Sequence, residues 1–324
     1  MRRRVILPIT ALAALLLAGC ASPAPAPTDT APAPAPTATS APTPDAGVVA
    51  LGGDCELVLP DAALQQAAPG FAPVGTQATS AMRLLGGMEC TWAGEDGPAP
   101  FQRIWVAVAP RSEVPDDIAA RYAPDPAQCG LDDCPSSVPV DQDGLWIALE
   151  TSGVDHAAVD AAIREAVLAA APQYEAPRVA EPDPAWWAVP DCDAIGAKAG
   201  MAQVLGADSI ETVMRSDNIP RGAAWDLTSA AGLTTWCPFT GVGRTAGETY
   251  VEFISTAGTL AAPPEGARPV EVAGAVSAWF LGDGDHARLI AVDGVNTLAI
   301  NYGPDEATVL RTAEAVLPHL TGRG

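Results

Sequence analysis

A doubled cysteine pattern constrains this chain more than any other feature. Gly53-Asp54-Cys55 opens one segment and Pro190-Asp191-Cys192 another. Each leads into a stretch that reads as a helix, 60–67 in the first copy and 193–205 in the second, stopped by Gly70 and Gly206. The next Cys lies beside a Trp both times, as Cys90-Thr91-Trp92 and Trp236-Cys237, and strand-like alternation follows at 103–108 and 249–254. Both copies also end alike. Residues 145–149 and 297–300 read as strands running through Gly153 or Gly303 into Ala-rich helices, and each helix holds Glu-Ala-Val-Leu, at 165–168 and 314–317. Glu165 follows Cys90 by 75 residues and Glu314 follows Cys237 by 77, a match that chance explains poorly. Val159, Ile163 and Val167 recur at helical spacing, and Val309, Ala313, Val316, Leu317 and Leu320 keep the same stripe, so one face of each helix packs.

The repeat predicts an α+β fold of two tandem modules, 47–172 and 191–324. A Pro-rich linker, 173–190, joins them around Trp186-Trp187. Short consecutive strands favour antiparallel pairing. Each module is therefore expected to be a curved antiparallel sheet with its N- and C-terminal helices packed on one face, able to fold separately with modest contact between modules. Two adjacent indoles in a linker are expected to dock the modules or to line a groove for a ligand. Trp92, Trp105, Trp146, Trp236 and Trp279 fall in strands and read as core.

Seven Cys are present, and setting Cys20 aside leaves Cys55, Cys90, Cys129, Cys134, Cys192 and Cys237. Six Cys permit about 15 connectivities. Their order and the repeat favour 55 with 90, 129 with 134 and 192 with 237. By loop entropy each long bridge stabilises by roughly 4 kcal/mol and the tight 129–134 ring by about 2. Aromatics make up only 5% of the chain, so the cores rest on Val, Leu, Ile and Ala and the bridges carry weight.

The beginning of the chain gives an address. Arg2, Arg3 and Arg4 precede an apolar run, Val5 to Leu17, and Leu17-Ala18-Gly19-Cys20 has the small residues that a bacterial lipoprotein signal peptidase needs. Residues 1–19 are thus expected to be a signal peptide, and Cys20 the lipid attachment site. The apolar run is shorter than the ~20 residues that span a bilayer. Residues 20–46, the anchor Cys and then almost wholly Ala, Pro, Thr and Ser, read as a disordered tether that reaches up to about 80 Å. Paired cysteines suit the same place, the extracytoplasmic face of a cell membrane.

Charge and motif together exclude more than they name. Lys plus Arg number 17 against 39 Asp plus Glu, a net charge of −22, which repels a nucleic-acid backbone and argues against a basic membrane-binding face. His156, His286 and His319 show no metal-ligand spacing and stand beside no Gly-x-Ser-x-Gly nucleophile, so no catalytic residue, metal or cofactor is expected. Cysteines held in disulfides carry no thiolate. Asp116-Asp117, Asp132-Asp133 and Asp283-Gly284-Asp285 are sequence neighbours, which do not supply the converging geometry of catalytic carboxylates. Asp141-Gln142-Asp143-Gly144 has the look of a calcium loop, but Ser152 stands where the bidentate Glu belongs, and a hairpin turn fits better.

Behind a lipobox and a Pro/Ala/Thr tether, the chain combines Asp-Cys, a short helix ending in Gly, a Cys beside Trp and an Ala/Val/Leu helix. It resembles actinobacterial cell-envelope lipoproteins of unknown function. The resemblance implies Cys at strand starts, here Cys55, Cys90, Cys192 and Cys237. The chain departs from that pattern in carrying two modules instead of one and in placing its Trp after Cys90 but before Cys237. The expectation is a non-catalytic binding or interaction module of the envelope. Its partners would be the membrane, through the lipid, and an unidentified envelope ligand or protein. A cation-dependent or structural wall component is the alternative, and a hydrolytic enzyme fits less well.

Overall fold

Alternation in Met88-Glu89-Cys90-Thr91-Trp92 and Arg103-Ile104-Trp105-Val106 sends successive side chains to opposite faces of a strand, and the fold is built on that parity. The structure, a computed structural model, describes residues 47–74, 80–94, 102–123, 134–140, 144–189, 191–213, 220–243, 249–258, 263–282 and 287–322. Residues 1–19, Cys20, the tether and Cys129 lie outside them.

The first half runs α1 (Asp61–Ala67), β1 (Phe71–Pro73), α2 (Ser80–Leu84), β2 (Met88–Gly94), β3 (Arg103–Pro110), α3 (Asp116–Arg121), β4 (Cys134–Val140), β5 (Leu145–Ser152) and α4 (His156–Ala170). After β6 (Trp187–Ala188) in the linker come α5 (Cys192–Lys198), α6 (Met201–Val204), β7 (Ser209–Glu211), α7 (Ala223–Ala230), β8 (Thr234–Val242) and β9 (Thr249–Ala257). The chain continues through β10 (Arg268–Val270), β11 (Ser277–Leu281), β12 (Ala287–Val292), β13 (Asn296–Gly303), α8 (Glu306–Val316) and β14 (Thr321–Gly322).

The architecture is α+β with two antiparallel sheets. One has the order β1-β2-β3-β5-β4 and the other β7-β8-β9-β13-β12-β11-β10. Counted from the disulfide cysteine, the two share a register: Cys90 pairs with Val106 and Val106 with Leu149, as Cys237 pairs with Phe253 and Phe253 with Ile300. They differ where α3 stands in the first half and β10 and β11 extend the sheet in the second.

Each sheet turns its cysteine face into a core of its own. Cys90, Trp92, Val106 and Leu149 pack with Leu64 of α1 and with Val159, Ile163 and Val167 of α4. Cys237, Phe239, Phe253 and Ile300 pack with Ile195, Met201, Val309 and Val316. The disulfides Cys55–Cys90 and Cys192–Cys237 tie the start of each half to its central strand, with Cα atoms 5.7 and 5.3 Å apart. The Asp of each Asp-Cys pair has a local reason to be there. Asp54 accepts from the backbone N–H of Glu56 and Asp191 from that of Ala194, so each caps the helical turn that its neighbouring Cys begins.

A third cluster belongs to both halves. Met82, Ala107, Trp146 and Ala148 from the first half pack there with Ala223, Ala224, Leu227 and Ala257 from the second. The contact runs both ways: α7 lies against β8 of its own half and β3 of the other, and α2 against β2 of its own half and β9 of the other. The described residues accordingly belong to one compact unit, Thr43–Gly324, with more contact between halves than the sequence led one to expect. The linker is docked as well. The buried side chain of Asn296 donates to the Ala185 carbonyl at 2.9 Å and accepts from the Trp187 N–H at 3.2 Å, while β6 pairs with β14.

One predicted helix is broken. The run 193–205 divides into α5 and α6 at Gly200, whose φ of +62° is left-handed and interrupts the helical path. Chain-order reading also passed over α2, α7 and the edge strands, which are short and gain their stability from the packing described above.

Candidate functional site

Strand parity decides which side chains leave the core. With Cys90 and Trp92 turned toward α1 and α4, Glu89 comes out on the opposite face of β2. The same parity brings out Trp105 and Ala107 on β3, and Trp146, Ala148 and Glu150 on β5. Glu89 sits across from Ala107, and Trp105 across from Glu150. At one end this rear face is covered: Trp146 meets the edge of Tyr122, with ring centroids 6.1 Å apart, and Leu227 of α7 joins the same cluster. At the other end the small side chains of Ala107 and Ala224 leave a cavity of about 310 Å³, also lined by Glu89, Trp105, Glu150 and Arg221.

The start of α7 forms one wall. Gly222 precedes it with φ +105°, a conformation that disfavours side chains, and a Cβ there would lie 3.1 Å from a Glu150 carboxylate oxygen. Gly222 has no side chain to cap the helix. Glu150 of the other half does so instead, its Oε1 accepting from the Ala223 N–H at 3.0 Å. A carboxylate at a helix N-terminus is favoured by the backbone dipoles as well as by the hydrogen bond. Close by, Asp226 pairs with Arg121 and accepts from the Tyr122 hydroxyl at 3.0 Å. Burial, with Glu150 and Asp226 adding to it, pushes the Tyr122 phenol up.

Glu89 is treated differently. Its side chain makes no hydrogen bond or ion pair among the described residues, although the residue is half-buried. Burial first, and the charge of Glu150 second, push it from 4.5 up to about 7. At neutral pH the group can therefore donate a proton in a hydrogen bond, or stand ionised where a positive charge meets it. A buried acid displaced in this way, facing a cavity, is a recognised mark of a functional site.

The second sheet has a carboxylate on its corresponding face, and there it is fully partnered. Glu252 Oε2 accepts from Trp236 Nε1 at 2.9 Å and from the Tyr250 hydroxyl at 3.1 Å, and Oε1 accepts from Asn301 Nδ2 at 3.2 Å. Relative to the disulfide cysteines, Trp236 stands where Glu89 does, Glu252 where Trp105 does and Asn301 where Glu150 does.

The residues singled out from sequence fall as follows. Cys55, Cys90, Cys192 and Cys237 form the two bridges; the third bridge lies outside the described residues, as do Asp132-Asp133, Asp141 to Asp143, Asp283 to Asp285 and His286. Trp186 is buried in the shared cluster and Trp187 in the second core. His156 Nδ1 lies 2.9 Å from the Thr151 hydroxyl, and burial lowers its pKa. Asp116 opens α3 and pairs with Arg111. Trp105, Trp236 and Trp279, read from sequence as core, are only half-buried. Trp105 instead walls the cavity, because it shares the parity of Glu89's face and not that of Cys90.

The chain matches no family model, no curated protein and no solved structure. The site therefore stands on its own chemistry. Among the described residues there is no group of three or more His, Cys, Asp or Glu placed to hold a metal ion, and no helix long and apolar enough to cross a membrane.

Proposed function

We propose that this protein is a non-catalytic binding lipoprotein of the bacterial cell envelope, held to the extracytoplasmic face by lipid on Cys20 and binding a small ligand in the Glu89 cavity. It resembles actinobacterial envelope lipoproteins, and we read it as two tandem copies of one paired-cysteine module. Each copy is a curved sheet with its first and last helices on one face. The shared strand order and register from β1 to β5 and from β7 to β13 support the duplication. In this reading the second copy supplies α7 as a wall of the first copy's site, which gives the tandem arrangement a use.

The observation that carries the binding reading is the Glu89 carboxyl, without a partner among the described residues, beside an open cavity. Burying a carboxyl without a partner costs free energy, and a fold keeps such a group where a ligand supplies what is missing. Glu150 is engaged by the helix it caps, so the pair lacks the two free carboxyls that hydrolysis by an acid and a base requires.

A thermal-shift screen of the full chain against small organic solutes, glycans and lipids tests this reading, since a ligand that binds only the native state raises the melting temperature. The expected result is a solute that stabilises the parent chain and loses its effect in Ala107→Leu, which fills the cavity. Stabilisation that survives the filling, or none from any solute, contradicts it. For the anchor, Cys20→Ala should accumulate as unprocessed precursor, and normal lipidation of that variant would refute the assignment.

A further inference from the structure

Resting on the binding reading above, we infer that the ligand of the cavity is a small organic cation, with its ammonium group against Glu89 and its apolar part on Trp105 and the alanine floor. Three observations converge on this class. The cavity holds two carboxyls, and the one without a partner needs a donor or a positive charge. The positive end of α7 is already answered by Glu150, so the helix offers little to an anion. The wall is an indole, whose face attracts cations; the protein's own Arg103 guanidinium lies over it, 6.0 Å from the ring centroid.

Competing classes fit less well. An anion would meet both carboxyls. A bare divalent metal would find two carboxyls and an indole, where calcium takes roughly 6–8 oxygen ligands. Arg221 borders the mouth, but it is a single exposed charge in water and is screened there. The second sheet supports the same logic from the opposite side. There Trp236, Tyr250 and Asn301 donate to Glu252, and the residue is closed off from water.

A cation bound at Glu89 favours the ionised carboxyl, so binding expels a proton from a site that is half protonated near neutrality. Among the described residues, the charged and titratable groups that line the cavity with Glu89 are Glu150 on β5 and Arg221 before α7. Arg103 lies over the Trp105 ring, and Tyr122, which Glu150 influences, is bonded to Asp226, itself paired with Arg121.

The test is calorimetry on the full chain with three probes of one shape: benzylammonium, benzyl alcohol and benzoate. Benzylammonium should bind, benzoate should not, and benzyl alcohol should bind at least tenfold more weakly, a gap of about 1.4 kcal/mol. Affinity for the cation should rise roughly thirtyfold between about pH 5.5 and 8, with about half a proton released at pH 7, read from heats in buffers of different ionisation enthalpy. Glu89→Gln keeps the shape of the protonated acid, and it should weaken the cation about tenfold or more and abolish both the pH dependence and the proton release. If the alcohol binds as well as the cation, or if Glu89→Gln leaves affinity and proton release unchanged, the cationic assignment falls. If binding is nonetheless lost in Ala107→Leu, the cavity remains the site. If benzylammonium does not bind at all, the inference is overturned, and the solute screen then decides separately whether the binding reading stands.

Discussion

Glu89 and Glu252 sit on corresponding faces of the two sheets, one residue from the core-facing register of their strands, and the fold handles them in opposite ways. Glu252 is almost wholly enclosed, and Trp236, Tyr250 and Asn301 all donate to it. Glu89 has no partner among the described residues and is pushed up to about 7 by burial and by Glu150. The scaffold can therefore satisfy a carboxylate on this face, although Glu252 stands at the position of Trp105 and not of Glu89. That it leaves one unsatisfied beside a 310 Å³ cavity is a property of the first sheet's residues and not of the architecture. The covering helices differ in step: α7, over the first sheet, spans Ala223–Ala230, whereas α2, against the second, spans only Ser80–Leu84. The longer helix brings a Gly-led N-terminus to Glu150, and so defines the cavity.

The largest effect should come from the residue that ties the two faces together. Trp186 is buried in the cluster shared by both halves, and Trp186→Ala should cost roughly 4 kcal/mol in chemical denaturation, with both halves still unfolding in one transition. A loss below about 1 kcal/mol, or two separated transitions, would mean that the halves do not depend on a common core.

The contrast between the carboxyls gives the next effect. Glu252→Ala strands three donors and should cost about 3 kcal/mol. Glu89→Gln should do the reverse above neutral pH. Folding raises the pKa of Glu89, so its favourable contribution is fully present below pH 4.5 and is lost as the pH climbs through about 7. The parent chain should therefore lose up to roughly 3 kcal/mol across that window relative to Glu89→Gln, whose profile there should be flatter. Equal pH profiles for the two would remove the asymmetry on which the site rests.

Much of the scaffold was legible in the sequence. Asp-Cys, the Cys-to-Glu spacing and the Val159, Ile163, Val167 stripe are local patterns, and they located α1, α4, α8, four strands and both long bridges. The cavity was not legible for a physical reason. Glu89 and Glu150 are 61 residues apart, and Gly222 arrives from the other half a further 72 residues on. Only strand pairing and the packing of α7 across to β3 bring them together. A usable signal was nonetheless present. Once Cys90 and Trp92 are taken as core-facing, parity alone puts Glu89 and Thr91 outside, and the same count along 145–150 puts Trp146 and Glu150 on that side. Reading every strand Trp as core concealed this, because Trp105 has the parity of Glu89.

The most direct test is the titration of Glu89 itself, followed through the side-chain carboxyl carbon by NMR and assigned by comparison with Glu89→Gln. The account predicts a midpoint near 7 in the ligand-free protein, displaced from the 4.5 of an ordinary glutamate. A midpoint at about 4.5 would show a carboxyl that is solvated or already partnered, and would contradict the claim that the first sheet holds an acid waiting for its ligand.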